Sequence, residues 1–403
     1  MPTRSRVCAW IAGLALVVPT LGAAQDRSER DVIDLIVRDG PQARAIRAET
    51  AVTRLEQHAR LAYPNPSVTY SREGAGFTEF LQAEQFLPVF GTRGALERVG
   101  TAAIGAAEAE RDARLWLLRV EAARTVARLT AATARRDVAQ SYMREVERLI
   151  EILRTREREG EGSRFDRLRA ELELKEARQL ATATTADVAE ARATVTAMLP
   201  TGTTLTRVVG NAASPQPVPA ADVLLARAAS ARPDVRALQM TTLRATHESD
   251  AARRARLPAP TIFGGLKRAD AATGRERGGI FGVSVSLPVF DGGGRDSARW
   301  IAEAERADAE RAALEGRIRA EVVRAADVLA LRRAALPGDQ DDGGEELLRI
   351  AVVAYREGEA GILELLDAAR TAARAKSRAI DARLEARLAE IALEHAVGEV
   401  LWP

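Results

Sequence analysis

The 403-residue sequence says nearly the same thing twice. Gln85-Phe86-Leu87-Pro88-Val89-Phe90-Gly91 returns as Ser286-Leu287-Pro288-Val289-Phe290-Asp291-Gly292, and Arg158-Glu159-Gly160-Glu161 returns as Arg356-Glu357-Gly358-Glu359. Arg38-Asp39-Gly40-Pro41 has a looser counterpart in Ala231-Arg232-Pro233-Asp234, and Tyr63-Pro64-Asn65-Pro66 in Leu257-Pro258-Ala259-Pro260. The marks keep their order, at offsets between 192 and 200 residues. A period this long means duplication of a whole subdomain rather than a short-repeat solenoid. Any fold for this chain must therefore accept two copies of one unit, 25–219 and 220–403.

The first 24 residues read as a secretory signal peptide. Arg4 and Arg6 precede an uncharged run from Val7 to Val18, and small residues follow at Gly22-Ala23-Ala24, the order of a leader whose apolar core is too short to span a bilayer comfortably. The one cysteine, Cys8, lies inside that leader, so disulfides and thiolate metal sites are excluded downstream. Without the leader the chain carries 57 basic and 57 acidic residues. The charges alternate in sign instead of forming the concentrated basic face that nucleic acid requires.

Proline is absent from 89 to 199, from 289 to 336 and from 338 to 402, so long helices are permitted there. Between 94 and 157, Val99, Ala103, Ala106, Ala113, Leu117, Val120, Ala127, Ala131, Ala134 and Val138 recur in steps of three, four or seven. That stripe, rich in alanine, predicts a rod that lets neighbouring helices approach closely, with a length of roughly 96 Å at 1.5 Å per residue. Helices over 164–199 and 221–257, the latter interrupted near Pro233, are about half as long, and 28–61 supplies another short run. The second copy predicts a long helix over 295–357 and a short one over 362–399. Two short helices end to end match one long one, which gives a bundle about 100 Å tall.

One segment in each copy breaks the helical period: a hairpin over 67–87 with its turn at Ala75-Gly76, and a hairpin over 261–287 with Asp270 to Gly278 as its turn. Phe281, Val283, Val285 and Leu287 alternate with Gly282, Ser284 and Ser286. Strands of 8 to 10 residues suit either a tilted bilayer crossing or a half-buried soluble sheet. Four strands per chain cannot close a barrel, and lipid does not tolerate open edges. If the hairpins span a membrane, several chains must pool them.

Arg232-Pro233-Asp234-Val235, the hairpin ending in Val283-Ser284-Val285-Ser286-Leu287-Pro288-Val289-Phe290-Asp291-Gly292-Gly293, Ala354-Tyr355-Arg356-Glu357-Gly358 with Leu365-Leu366-Asp367-Ala368, and Phe165-Asp166-Arg167-Leu168-Arg169-Ala170-Glu171 after Gly160 together resemble the TolC family of outer-membrane channel proteins. The resemblance covers nearly all of the chain after the leader. It implies a mainly α protein with a small β part, a TolC-like internally duplicated protomer whose four transmembrane β-strands and long coiled-coil helices form a trimeric β-barrel and α-barrel. It further implies a homotrimer in the outer membrane of a Gram-negative cell, reaching through the periplasm. The expected function is the exit duct of a tripartite efflux system, or alternatively of type I secretion. Its partners would be a periplasmic adaptor (membrane fusion) protein, an inner-membrane transporter of the RND or ABC type, and outer-membrane lipid. A rival of another class is a soluble periplasmic coiled-coil scaffold or adaptor.

By the same resemblance, Gly160 and Gly358 are helix-tip turns that face the adaptor, and Asp166, Glu364, Asp367 and Tyr355 belong to the aperture. Arg156 stands where the first copy would have its tyrosine. Glu364 and Asp367, three apart, share a helix face and can point together into a lumen; ordinary solvated acids near a turn would look the same. Pro337-Gly338-Asp339-Gln340-Asp341-Asp342-Gly343-Gly344 falls where the second copy should be helical, which predicts a kink or loop. Its three aspartates do not have calcium-loop spacing. His58, His247 and His395 stand singly, so no metal site is expected, nor any cofactor. No phosphate loop, nucleophile elbow or HExxH occurs, so the chain is not expected to be an enzyme.

Overall fold

The computed structural model describes residues 27–74, 78–209, 216–254, 256–271, 274–290, 292–336 and 343–402. The predicted leader lies outside them, as do Asp339, Asp341 and Asp342 of the predicted break. In chain order the first copy contains β1 (Arg27–Ser28), α1 (Glu29–Asp39), α2 (Pro41–Leu61), β2 (Ser67–Glu73), β3 (Thr78–Phe86), α3 (Thr92–Arg158), α4 (Arg164–Met198) and β4 (Val208–Val209). The second contains α5 (Ala221–Ala231), α6 (Pro233–Arg254), β5 (Ala259–Ala271), β6 (Gly274–Ser286), α7 (Gly294–Ala334), α8 (Gly343–Glu357) and α9 (Ile362–Val397).

The 67 residues of α3 make a rod of roughly 100 Å. It packs against α2 and α6 over one half and against α4 and α9 over the other. The sequence repeat is a structural repeat. Both copies leave the strands through a tight turn, Val89 N–H to Leu87 C=O and Val289 N–H to Leu287 C=O, each 2.9 Å. Proline lies between donor and acceptor in both, its fixed φ suiting the three-residue turn. Both copies also break a helix pair at a proline, α1/α2 before Pro41 and α5/α6 before Pro233. The end of the later helix closes on each break: a Cβ on Gly40 would sit 2.7 Å from the Met198 carbonyl, and one on Gly398 would sit 2.9 Å from Arg232 Cα.

The expected run over 295–357 is two helices, α7 ending at Ala334 and α8 starting at Gly343, with the interruption where a kink or loop was expected because proline cannot continue a helix. One sequence expectation changes. The stripe on α3 holds at Val99, Ala103, Ala106, Ala113 and Val120, but Leu117 is exposed and Leu118 takes the buried position. A straight 3.6-residue helix drifts about 20° per heptad against a 3.5 repeat, so the buried seam steps to the next residue. A further small element was not foreseen. β1 pairs with β4 in parallel, tying the start of the described chain to the end of the first copy.

Three large clusters form the helical core, beside a small one of Ala109 and Ala113 of α3 with Ala237 of α6. The middle of α3 packs with Val32, Ile33 and Ile36 of α1 and Val188, Val195 and Met198 of α4. Leu314, Ile318, Val322 and Leu329 of α7 meet Leu224 of α5 and Leu393 and Val397 of α9. The third cluster lies towards the helical tips. Between the first two, a charge network crosses the waist. Glu390, fully buried, accepts from Arg333 at 2.7 Å and Arg387 at 3.1 Å, and Arg387 also reaches Glu29 at 3.1 Å. Arg333 stacks on Trp402 at 4.7 Å. The network thus ties α1, α7, α9 and the C-terminal residues together.

Removing one partner of such a network leaves a buried charge uncompensated. Glu390→Ala is expected to cost about 3–5 kcal/mol and to lower the thermal unfolding midpoint of the detergent-solubilised protein. An unchanged midpoint would show that the network contributes nothing to the waist.

Candidate functional site

The four long strands form one sheet in the order β2-β3-β5-β6, antiparallel throughout. Directly opposed residues of neighbouring strands share a face. One face therefore carries Tyr70, Leu81 and Leu266 in one row, Val68 and Phe281 in the next, then Ile262 with Val283, and Val285. The other carries Ser67, Thr69, Ser71, Gln82, Glu84, Thr261, Lys267 and Ser284, with Phe80, Phe263 and Ile280 among them. The apolar face is the open one: Phe281 is 91% exposed, Val68 69% and Leu266 67%. Gln82, Glu84 and Phe263 on the polar face are half-buried. A sheet whose hydrophobic side is the more exposed of its two faces is inside out for water.

The second hairpin is longer than its pattern. Strands expected over 261–268 and 279–287 run from Ala259 to Ala271 and from Gly274 to Ser286. The charges read as a turn, Asp270 to Gly278, continue the ladder, with Asp270 opposite Arg275 and Arg268 opposite Arg277. Side-chain polarity does not interrupt backbone pairing. At both ends of the sheet, β2 and β6, one edge has no partner strand among the described residues.

At the far end of the rods, α3 turns into α4 through Gly160 (φ 80°) and α8 into α9 through Gly358 (φ 77°). Glycine accepts this left-handed conformation without a Cβ clash. The predicted tip carboxylates begin the two outgoing helices in matching positions. Asp166 stands three residues after the cap Ser163, and Glu364 three after the cap Gly361, where a negative charge complements the helix dipole. Glu364 folds back to within 2.8 Å of where a Cβ on Gly361 would be. Glu364 and Asp367 lie on the exposed face of α9, opposite buried Ile362, Leu365, Leu366 and Ala369. Among the described residues, Asp166, Glu364 and Asp367 have no ion pair within the protomer. Tyr355 is half-buried, and Arg156, its counterpart in the first copy, stacks over its ring at 5.4 Å. The two repeats therefore meet each other at equivalent positions.

Sequence reasoning missed the polar joint above these turns. Glu173 of α4, 5% exposed, accepts hydrogen bonds from the Tyr142 hydroxyl of α3 and from Arg370 of α9, the latter through Nε at 3.1 Å and through a second guanidinium nitrogen. Burial raises the Glu173 carboxyl, but the bonds from Arg370 and Tyr142 outweigh it and hold the group below the ordinary glutamate range. Burial, followed by the Glu173 contact, pushes the Tyr142 hydroxyl well up. A signal existed in the sequence: Glu173 interrupts the buried stripe Ala170, Leu174, Ala177 and Ala181, and a charge in such a stripe demands a partner.

A carboxylate held low in the folded state stabilises above its unfolded pKa and loses that contribution as pH falls through the folded value. Tip stability that depends on Glu173 is therefore expected at neutral pH and lost on acidification below about pH 4. Arg370→Met, which strands the buried carboxylate, is expected to cost about 3–5 kcal/mol at pH 7, and Tyr142→Phe only about 1–2 kcal/mol. Thermal unfolding between pH 7 and pH 3 checks both: Glu173→Gln must flatten the acid limb, and an unaltered limb excludes the joint as its source.

Residues 224–399 match the outer membrane efflux protein family. No curated protein sequence matches the chain. Among solved structures, the channel-forming protein CusC superposes with a TM-score of 0.68 at 18% identity, over 99% of this chain and 99% of its own. The outer-membrane channel OprN gives 0.70 at 20% identity, over 92% of this chain and 89% of its own. The CmeC outer membrane channel of Campylobacter jejuni gives 0.69 at 14% identity, over 100% of this chain and 96% of its own. Over residues 224–399 the chain thus matches an outer membrane efflux protein domain, and as a whole it shares the fold of CusC, OprN and CmeC, mainly helical with a small β part.

Proposed function

We propose that the chain is the outer-membrane exit duct of a tripartite efflux system in a Gram-negative cell. Three copies pool their ribbons into one twelve-stranded barrel, and the rods continue it as an α-helical barrel through the periplasm. The observation that carries this reading is the inverted ribbon with two unpaired edges. Its exposed apolar face suits hydrocarbon, its polar face suits a water-filled lumen, and its edges require neighbours because lipid offers no hydrogen bonds. No described helix is long and apolar enough to cross a membrane. The whole-length likeness to CusC, OprN and CmeC, each described as a channel, supports the same conclusion.

The duct is passive. Energy and substrate choice come from an inner-membrane transporter, which an adaptor couples to the tips at Gly160 and Gly358. Asp166, Glu364, Asp367 and Tyr355 border the aperture. Support comes from the exposure of Glu364 and Asp367 on the outgoing helix and from the absence of ion pairs to them within the described protomer. Three-fold assembly turns each carboxylate into a ring of like charge, which attracts cations and resists closure.

The purified protein is expected to require detergent, to run as a trimer, and to conduct ions when reconstituted in a planar bilayer. Glu364→Ala combined with Asp367→Ala should lower the cation preference several-fold while leaving the trimer intact. A protein that stays dissolved and monomeric without detergent would overturn the duct and favour the scaffold. Unchanged selectivity in the double variant would remove only the aperture assignment.

A further inference from the structure

On the apolar face of the ribbon, one row of the register carries charge across all four strands. Arg72 of β2 lies opposite Glu79 of β3, Glu79 opposite Arg268 of β5, and Arg268 opposite Arg277 of β6. The row on the helix side of it is Tyr70, Leu81, Leu266 and Gly279, the last of the apolar band. On the other side, towards the β5–β6 turn, Asp270 opposes Arg275 and pairs with it at 3.2 Å. The charged row therefore marks the end of the apolar band that is remote from the helices.

The acids do not balance this row. Glu79 sits between Arg72 and Arg268 and accepts a hydrogen bond from the Tyr70 hydroxyl at 3.4 Å. Asp270 is taken by Arg275. Arg268 and Arg277 are left as like charges in directly opposed positions, both exposed, with no ion pair among the described residues. Like charges on opposed residues destabilise a strand pair. An anion held between them would relieve the arrangement.

We propose that Arg268 and Arg277 form a binding site for the phosphate groups of an anionic glycolipid in the outer leaflet, with Arg72 and Arg275 flanking it. This rests on the membrane-spanning reading above. Opposed residues on neighbouring strands have Cβ atoms roughly 4.5–5.5 Å apart, so two guanidinium groups can close on one phosphate. Each guanidinium offers the planar fork that matches phosphate oxygens in pairs. Placement selects a lipid over a dissolved ion: the site lies one row beyond hydrocarbon-facing Leu266 and Leu81, at the depth where acyl chains end and headgroups begin. Tyr70 beside it has the apolar body and polar tip expected of an interfacial side chain.

The test titrates purified trimer in uncharged detergent with bisphosphorylated lipid A and with the same lipid dephosphorylated, and reads binding by native mass spectrometry. The bisphosphorylated lipid should bind R268Q/R277Q at least about tenfold more weakly than the unaltered protein, and the dephosphorylated lipid should not distinguish the two. R268K/R277K should fall between, since lysine keeps the charge and loses the fork. If R268Q/R277Q does not assemble, the lysine variant decides, and unchanged lipid affinity in it overturns the proposal. Equal binding by the glutamine variant, or displacement of the lipid by excess inorganic phosphate, also overturns it. The same preparations are tested for bilayer conductance. Failure of the unaltered protein to insert would sink the duct reading, whereas normal conductance with indifferent lipid binding would sink the lipid site alone.

Discussion

Everything in this protein follows from the unpaired edges of a four-stranded ribbon. The outer N–H and C=O groups of β2 and β6 have no partner strand in the described chain, and the face they border exposes Val68, Tyr70, Leu266, Phe281 and Val283. In water the ribbon would be an aggregation template. In lipid it would carry a row of unsatisfied polar groups, each costing several kcal/mol. Both problems vanish when identical ribbons join edge to edge. In the proposed duct, closure of the barrel fixes the assembly, and because each strand pair feeds directly into the helices, it would also fix how the rods stand side by side.

The rods themselves are built for close approach. The buried positions of α3 are dominated by alanine, with valine and leucine at intervals, so neighbouring helices pack with little side-chain bulk between axes. Such a seam supplies limited hydrophobic stabilisation per turn. Buried charge joints fasten it at two levels, Glu390 with Arg333 and Arg387 at the waist and Glu173 with Tyr142 and Arg370 above the tips. Each joint draws helices from both copies, the waist joint through the Arg387 contact to Glu29 of α1, so it also fixes the register of one repeat against the other.

Much of the scaffold was legible because long-range periodicity and proline are unambiguous signals. The expected helix over 94–157 is Thr92–Arg158, and the expected strands over 67–74 and 78–87 are Ser67–Glu73 and Thr78–Phe86. Misreadings occurred where polarity stood in for backbone pairing or where periodicity was extended too far. Asp270, Arg275, Glu276 and Arg277 continue a ladder that sequence read as a turn, and Leu117 gives way to Leu118 because helix and heptad periods differ. At the tips, the sequence located the two glycines and the carboxylates after them. It did not reveal that Arg156 and Tyr355 stack on each other, or that Glu173 and Arg370, 197 residues apart, form one pair. Such contacts depend on how two copies dock, which no local pattern encodes.

Amide hydrogen exchange of the lipid-reconstituted protein, resolved strand by strand, tests edge closure most directly. If β2 and β6 pair between subunits, their outward-edge amides are protected as strongly as those of the interior strands β3 and β5. Fast exchange along β2 and β6 beside slow exchange in β3 and β5 would contradict closure and with it the barrel.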